Sequence, residues 1–489
     1  MKVKSVKYNF IMNIILTAST FIFPLITLRY VSPILLPEGV GKVNVATSIS
    51  QYFSMVAMLG VPTYGIRACA QVRDDRRKLS QTVQEILLLN LLISIFVYIA
   101  YFIAVLNVPK MHDDAALYWI MSTTIIFNVI GVEWLYKGLE QYSYITIRSI
   151  IFKAVALILM FLFVKDKGDY AVYGAISIVA GVGSNLLNFI NLRKFVDFRP
   201  ADKLNIRRHL KEVMIFFLMA AATTIYTNLD NVMLGFMQND TQAGYYGTAI
   251  KVKSLLVSLV TALSAVLLPR VSYYIENGMK DEFVRVSKKA LNFVFMLALP
   301  VTVYFIFYAR ESIFLLSTDA FEDSIIPMQI IMPTVLLIGL TNVLGIQILV
   351  PLGKEKMVFY SVLAGGIVDF VVNAICIPTM AASGAAFGTL IAETVVLIVQ
   401  VFVLRKQIRE LVSDIKIVKL SVATAVAAFA CLWIKMLSLS NFLSLFISVI
   451  IFIAVYVIML LAFKEPFFAE LLHDLLHGRL RGRKSNIDE

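Results

Sequence analysis

Residues 24–39, PLITLRYVSPILLPEG, put an arginine and three prolines at the end of an apolar run that begins near Tyr8. A run of that length is enough for a helix to cross a bilayer core, which takes about 20 apolar residues. Arg29 within it is either an anchor at a membrane surface or part of a mechanism, because an ionised side chain at mid-bilayer costs about 2.5–3.5 kcal/mol or more. Outward from this stretch the same kind of run recurs, near 8–31, 43–64, 84–107, 116–136, 144–164, 170–192, 213–235, 246–269, 289–309, 324–350, 358–378, 382–404, 416–436 and 442–463. Composition agrees: 59% of the residues are hydrophobic, 16% are charged, and mean hydropathy is +0.82. Soluble domains run at roughly 45–50% apolar and 25% charged. The sequence predicts an all-α polytopic membrane protein of about 14 transmembrane helices.

A net charge of +12 could point to nucleic acid, but in a membrane protein basic residues first report topology. Outer loops hold only Lys42, Lys110, Lys165, Lys167, Arg310 and Lys435, and the apolar runs hold Arg29, Arg148, Lys153, Lys251 and Lys253. Every other Lys and Arg falls on the opposite side, so both termini are expected inside and no nucleic-acid partner is implied. The first run lacks a small-residue cleavage pattern and reads as a retained helix. Cys69, Cys376 and Cys431 suggest no disulfide framework. Of the four histidines, His112, His209, His473 and His477, none has metal-ligand spacing, and no metal or cofactor is expected. "GVGK" at Gly39 is followed by Val43, so no Walker A loop is present for an ATP-driven pump.

No polar stretch is long enough for a separate soluble domain, which points to transport, and transporters often carry internal repeats. "EGVGKVNVATSISQYF" and "QAGYYGTAIKVKSLLV" align Gly39 with Gly244, an offset of 205; Leu192-Arg193-Lys194 and Leu404-Arg405-Lys406 give 212. The expected organisation is therefore an N-terminal six-helix lobe at 1–200, a C-terminal six-helix lobe at 201–412, and two additional helices with a basic tail at 413–489. The lobes are expected to be pseudo-symmetric about a central cavity.

Depth sorts the intramembrane charges, at about 1.5 Å per residue along a helix. Lys153, Asp369 and Glu393 lie near the midplane, with Lys153 and Asp369 placed to face one another. Asp230 and Lys251 fall at similar depth on adjacent helices, where a structural ion pair is the plain reading. Lys253 is about 200° around the helix from Lys251. An excess of buried bases favours an anionic ligand such as a phosphate or pyrophosphate headgroup. Tyr52, Tyr142, Tyr226 and Tyr246 are candidates for stacking on sugars, with packing as the alternative for each.

These residues resemble the polysaccharide and O-antigen flippases of the multidrug/oligosaccharidyl-lipid/polysaccharide exporter superfamily. The resemblance runs in order through "PEGVGKVNVATSISQYF", "GVPTYGIR", "EWLYKGLEQYSYITIRS", "DYAVYG", "NLLNFINLRK", "LDNVMLG", "AGYYGTAIKVK", "LLPRVSYYIENG", "PLGKEK" and "SGAAFGTLIAE". It implies transfer of an undecaprenyl-pyrophosphate-linked oligosaccharide across the bacterial cytoplasmic membrane for capsule, O-antigen or exopolysaccharide synthesis. It also implies alternating access, H+ or Na+ as the coupling ion, and polysaccharide polymerase and chain-length proteins as partners; one chain holds a whole two-lobed transporter, so a monomer suffices. After "PLIT" the family pattern runs Pro-Tyr, Ser-Arg, Leu-Gly; here Arg29 takes the proline position, Pro33 the arginine position and Leu36 the glycine position. Asp369 stands where asparagine is commoner and Lys137 where glutamine is. On this reading Arg29, Arg148, Lys153, Lys251 and Lys253 are candidates for the pyrophosphate, and Asp230, Asp369 and Glu393 for coupling or structural roles. The rivals are a drug exporter of the same superfamily and a membrane-embedded glycosyltransferase or polymerase using Asp113 and Asp114 of "HDDA".

The charge asymmetry carries a direct test. In a cysteine-free background, Gly168→Cys is expected to react with a membrane-impermeant maleimide on intact cells, and Asn277→Cys only after permeabilisation; the reverse pattern would invert the orientation.

Overall fold

In the computed structural model of the chain, residues 6–198 and 204–469 are described, and no β-strand occurs among them. The helices that position the functional groups are α1 (Val6–Met58), α2 (Val61–Val72), α3 (Arg76–Asn107), α4 (Ala115–Gly131), α5 (Glu133–Gly138), α6 (Tyr142–Phe163) and α7 (Tyr170–Ile178). A π-helical turn, Val179–Gly183, joins α7 to α8 (Asn185–Asn191). Next come α9 (Arg207–Met237), α10 (Asp240–Glu276), α11 (Lys280–Phe307), α12 (Pro333–Asn342), α13 (Glu355–Val403), α14 (Ile417–Leu432) and α15 (Asn441–Ala462).

Among the described residues, ten helices are long and apolar enough to cross a membrane, or eleven when the bent pair Asp319–Ile331 and Pro333–Leu349 counts as one. The difference from the fourteen runs in the sequence has a local cause. The helical stretches Ile11–Val72 and Glu355–Val403 each take up two runs without a loop between them. The run at 246–269 falls on α10, where the side chains of 263–270 are outside the described set. The basic tail, with His473 and His477, also lies outside the described residues.

Both long helices are broken by one residue. α1 contains Pro24, Pro33 and Pro37, and its break is at Leu36, with φ 57° and ψ 177°. A proline disfavours the helical region for the residue before it, so Pro37 drives Leu36 out of the helix. The conformation it takes instead is one that glycine alone adopts freely, at a cost of about 1–3 kcal/mol for an L side chain. In α13 the corresponding break is Ala381, with φ 48° and ψ −126°, three residues after Pro378.

Contacts divide the chain into two compact units. The first comprises Met1–Lys251, Leu316–Ser324 and Asp369–Gly388; the second comprises Val252–Leu315, Ile325–Val368 and Thr389–Glu489. In the first, α1 packs along α9, α4, α6 and α3, with Leu28, Val31, Leu35, Val40 and Val45 fully or nearly fully buried. Polar side chains join the helices where apolar packing alone gives little direction in lipid. Tyr101 of α3, fully buried, donates to the Tyr118 carbonyl of α4 at 2.8 Å and lies 3.1 Å from the Ser50 hydroxyl of α1. In the second unit α11 packs on α12 and α14, and α14 on α15. There Tyr308 donates to the Cys431 carbonyl at 2.7 Å and Tyr304 lies 2.8 Å from Ser448 Oγ.

The closest approach in the first unit is between α1, just beyond its break, and the start of α10. A Cβ on Gly41 would stand 1.7 Å from the Asp240 carbonyl oxygen, and one on Gly244 would stand 2.0 Å from the Pro37 carbonyl oxygen. The contacts are reciprocal: Pro37 and Gly41 meet Gly244 and Asp240, each pair four residues apart. Two antiparallel helices that cross at backbone distance give contacts of this kind. A Cβ on Gly247 would in turn stand 2.2 Å from Asn44 Nδ2.

Gly41→Ala is expected to cost about 3 kcal/mol or more, seen as loss of folded protein in detergent extracts, because main chain cannot yield as a side chain can. Gly168→Ala, which has nothing within 4 Å of the added carbon, is expected to stay within about 0.5 kcal/mol of the parent. Equal behaviour of the two variants would rule out the close crossing.

Candidate functional site

The first unit encloses a cavity of about 600 Å³. Its walls come from the first turns of α1, the α1 segment beyond the Leu36 break, α5, α6, α7 with its π-helical turn, and Lys251 of α10. Four bases, Lys137, Arg148, Lys153 and Lys251, face it together with a single acid, Glu133. Neutral hydrogen-bonding groups fill out the lining, among them Asn13, Thr17, Thr20, Asn44, Thr47, Ser149 and Ser177. The π-helical turn presents Ala180 and Gly181, and nothing lies within 4 Å of a side chain that Gly181 might carry.

The four bases are not equivalent. Arg148 is 4% exposed and held at both terminal nitrogens: Nη2 is 3.1 Å from Glu133 Oε2, and Nη1 donates to Ser184 Oγ at 2.6 Å and to Asn185 Oδ1 at 3.1 Å, while the buried Nε has no hydrogen-bond partner among the described residues. Glu133 also holds Lys137, at 2.8 Å. Lys153 donates only to Ser19 Oγ, at 2.8 Å, and Lys251 makes no hydrogen bond or ion pair among the described residues. One carboxylate thus serves Arg148 and Lys137, while Lys153 and Lys251 keep their charge for whatever enters. A bound anion gains charge-assisted hydrogen bonds from both, in a setting less screened than water.

Other sequence candidates lie elsewhere. Arg29 is exposed and donates to the Ser317 carbonyl at 2.6 Å, and it is not among the lining residues. Lys253 and Glu393 belong to the second unit. The ion pair read between Asp230 and Lys251 is replaced by another arrangement, because Lys251 turns into the cavity and Asp230 finds neutral donors. Tyr246 donates its hydroxyl to Asp230 Oδ2, and Asn373 Nδ2 donates to Asp230 Oδ1 at 2.6 Å. The same amide nitrogen reaches Asp369 Oδ1 at 3.3 Å. Asp230 and Asp369 are 5% and 0% exposed, so one asparagine bridges two buried carboxylates. Lys153 and Asp369, placed to face one another by depth alone, instead bond to Ser19 and Asn373. Gly388 leaves the space the bridge occupies, since a Cβ there would stand 2.0 Å from Asn373 Oδ1.

Of the tyrosines considered for sugar stacking, Tyr246 is committed to Asp230 and Tyr52 donates to the Ile225 carbonyl at 3.2 Å. None of Tyr52, Tyr142, Tyr226 and Tyr246 lines the cavity; its aromatics are Phe23 and Tyr173. In "HDDA", Asp114 accepts from Lys42 at 3.0 Å and from Tyr170 at 2.8 Å, which ties it into a cluster between helix ends. Sequence reading missed Asn373, although an asparagine four residues after an aspartate in an apolar run puts both on one helix face. It also missed the π-helical turn, which leaves no mark in composition.

The model of the polysaccharide biosynthesis protein family matches residues 6–275. The chain belongs to this family. Among its relatives is an Escherichia coli (strain K12) protein named "Putative O-antigen transporter", 23% identical over 397 residues that cover 80% of this chain and 95% of the relative. A Shigella dysenteriae protein of the same name is 22% identical over 373 residues, covering 74% and 90%. Among solved structures, the lipid II flippase MurJ in an inward closed conformation superposes with a TM-score of 0.74 at 16% identity, covering 95% of this chain and 100% of MurJ. An inward-facing multidrug resistance MATE family transporter of the MOP superfamily gives 0.63 at 14% identity, covering 80% and 94%. At these identities the structural likeness speaks for fold, and the fold it gives this family member is a polytopic helical one.

The bridge makes a separable prediction. Asn373→Leu leaves two buried carboxylates without their shared donor and is expected to destabilise the protein by about 1–3 kcal/mol. Asn373→Leu combined with Asp369→Leu is expected to recover part of that loss in a thermal melt, because a buried charge goes with its partner. A double variant less stable than the single one would mean that the asparagine does not serve the aspartates.

Proposed function

We propose that this polysaccharide biosynthesis protein is a flippase of the bacterial cytoplasmic membrane that carries an undecaprenyl-pyrophosphate-linked oligosaccharide from the inner to the outer leaflet. The observation that carries the reading is the cavity with four bases to one acid, two of those bases uncommitted. A pyrophosphate diester offers two negative charges and acceptor oxygens on all sides, which suits two mobile ammonium groups better than one fixed guanidinium. Lys153 and Lys251 hold the pyrophosphate, Arg148 and Glu133 fix the wall behind it, and the neutral hydroxyls and amides meet the first sugars. The polyprenyl tail stays in lipid. Arg29, held on Ser317, and Lys253 act at the mouth, and Glu393 is a third carboxylate, with a coupling or structural role. The names of the relatives favour the same class of cargo.

In this scheme fourteen crossings form two six-helix lobes at 1–200 and 201–412 with a helix pair at 413–489, and the lobes alternate access to the cavity. A single chain suffices, working beside polymerase and chain-length proteins. Asp230, Asp369 and Asn373 form the coupling site, where H+ or Na+ is exchanged between two carboxylates that share one amide. The chain's own part in that exchange is positional: Tyr246 and Asn373 hold both carboxylates at fixed places while the charge between them changes. No chemical bond is made or broken, so no enzyme activity is assigned. Drug export by the same fold is the weaker reading, since cationic drugs would be repelled by the lining.

Lipid transfer in proteoliposomes containing undecaprenyl-pyrophosphate-linked glycan tests the scheme. Lys251→Ala and Lys153→Ala are each expected to lower transfer about tenfold or more, the worth of a charge-assisted hydrogen bond, with Arg29→Ala milder. Gly181→Trp, which has open space to enter, is expected to block transfer without lowering thermal stability. Full transfer by the double lysine variant would overturn the cavity assignment, and export of a cationic dye in place of lipid would favour the drug-exporter reading.

A further inference from the structure

A second basic cavity, of about 350 Å³, lies in the second unit and is remote in sequence from the groups described above. One wall is a single face of α11: Arg285, Lys288, Lys289 and Asn292 are spaced by three, four and seven residues, which aligns them on a helix. The other wall comes from the segment before α14, with Asp414 and Lys416, and the segment after α15, with Glu465, Pro466 and Phe467. Four bases therefore meet two acids. Both acids already have work: Asp414 Oδ2 is 3.0 Å from Lys288 Nζ, and Glu465, 3% exposed, accepts from the Phe468 backbone N–H at 2.6 Å. Among the described residues the Lys416 side chain is exposed and donates no hydrogen bond, and Arg285 has only its helical neighbour Glu282.

The position of the pocket says what an anion there is attached to. Three apolar segments begin or end at its rim: α11 turns apolar from Ala290, α14 starts at Ile417, and α15 ends at Ala462. From Val418, two residues past Lys416, an exposed apolar stripe runs down α14 through Val422, Val426 and Phe429. The spacing keeps the four on about one face of the helix. Basic pockets at the ends of membrane helices, on the side where basic loops gather, have the chemistry to hold lipid phosphate.

We propose that this pocket binds the phosphodiester headgroup of an anionic phospholipid from the leaflet on the basic side, with its acyl chains along the Val418–Phe429 stripe of α14. Arg285 and Lys416 bond the phosphate oxygens, while Lys288 stays with Asp414 and, with Lys289, forms the wall. A lipid held there fastens the terminal helix pair α14 and α15 to α11 through their shared headgroup, beside the direct bonds from Tyr304 and Tyr308. The assignment does not depend on the cargo of the transporter.

The full-length protein tests this by native mass spectrometry after exchange into micelles containing equal phosphatidylglycerol and phosphatidylcholine. The wild type is expected to retain phosphatidylglycerol preferentially. The Arg285→Gln/Lys416→Gln variant is expected to lose that preference at least tenfold, at about fivefold per removed charge, with an unchanged melting midpoint in phosphatidylcholine nanodiscs. Should the double variant misfold, Lys416→Gln alone, on an exposed segment, is expected to show about a fivefold loss. Undiminished phosphatidylglycerol retention by either folded variant overturns the site. Inorganic phosphate at millimolar concentration, binding lipid-free protein and displacing phosphatidylglycerol, would assign the pocket to a free anion and overturn the lipid.

Discussion

Two stretches of main chain touch where α1 passes the start of α10, and much of the first unit follows from that contact. Neither Gly41 nor Gly244 has room for a methyl group, so the two helices meet at backbone distance and not at the 8–10 Å usual for packed helices. Small residues allow such approaches in membranes, where packing and not water drives association. Once the crossing is fixed, what lies on either helix is fixed as well. Asn44, one turn beyond Gly41, abuts Gly247, and Lys251, two turns beyond Gly244, reaches the same cavity wall as Asn44. Asp240 at the start of α10 is 2.7 Å from Lys110, and Lys42 is 3.0 Å from Asp114. The ion pairs at this end of the unit are thus set by the crossing that builds the cavity.

Charge inside an apolar protein needs a local answer, and the first unit gives two different ones. Around Arg148 a carboxylate, a hydroxyl and an amide take up both terminal nitrogens of the guanidinium, and a paired charge is how a buried ion is tolerated. Lys153 and Lys251 are left nearly bare beside open volume, a condition that water or a ligand must satisfy. Removing an acid from the first arrangement would break structure; adding one to the second would compete with the cargo. Asp230 and Asp369 show the opposite sign, two buried carboxylates bridged by one neutral amide.

Membrane class and helical fold were legible because hydropathy acts over twenty residues at a time, and local detail does not disturb it. Lys153 was legible as a costly base near the midplane, since depth separates a costly base from an anchored one; that Arg148 and Lys251 line the same cavity was not given by depth. Which of them is spent was not legible, because Glu133, Ser184 and Asn185 reach Arg148 from distant positions in the chain. The Asp230 pairing failed for the same reason. Depth placed Lys251 beside it, but rotation about the helix axis decides partners, and Asn373, more than 100 residues away, supplied the donor. The tyrosines failed on number, since 21 tyrosines in one chain give no way to choose those beside a cavity.

Leu36 joins the sequence pattern to the geometry. The resemblance read from the sequence implies glycine where this chain has leucine, and the structure gives that position a backbone conformation suited to glycine, φ 57° and ψ 177°. The break is therefore a property of the fold and not of the residue found there. Pro37 enforces it from one side, and the crossing holds it from the other, since the Pro37 carbonyl is the group that meets Gly244. A leucine in place of glycine makes the bent form strained without removing it, and any straightening of α1 would release that strain only by separating Pro37 from Gly244. Strain and close contact act in opposite directions at neighbouring residues. That balance ties the shape of α1 to the contact that sets the position of Lys251.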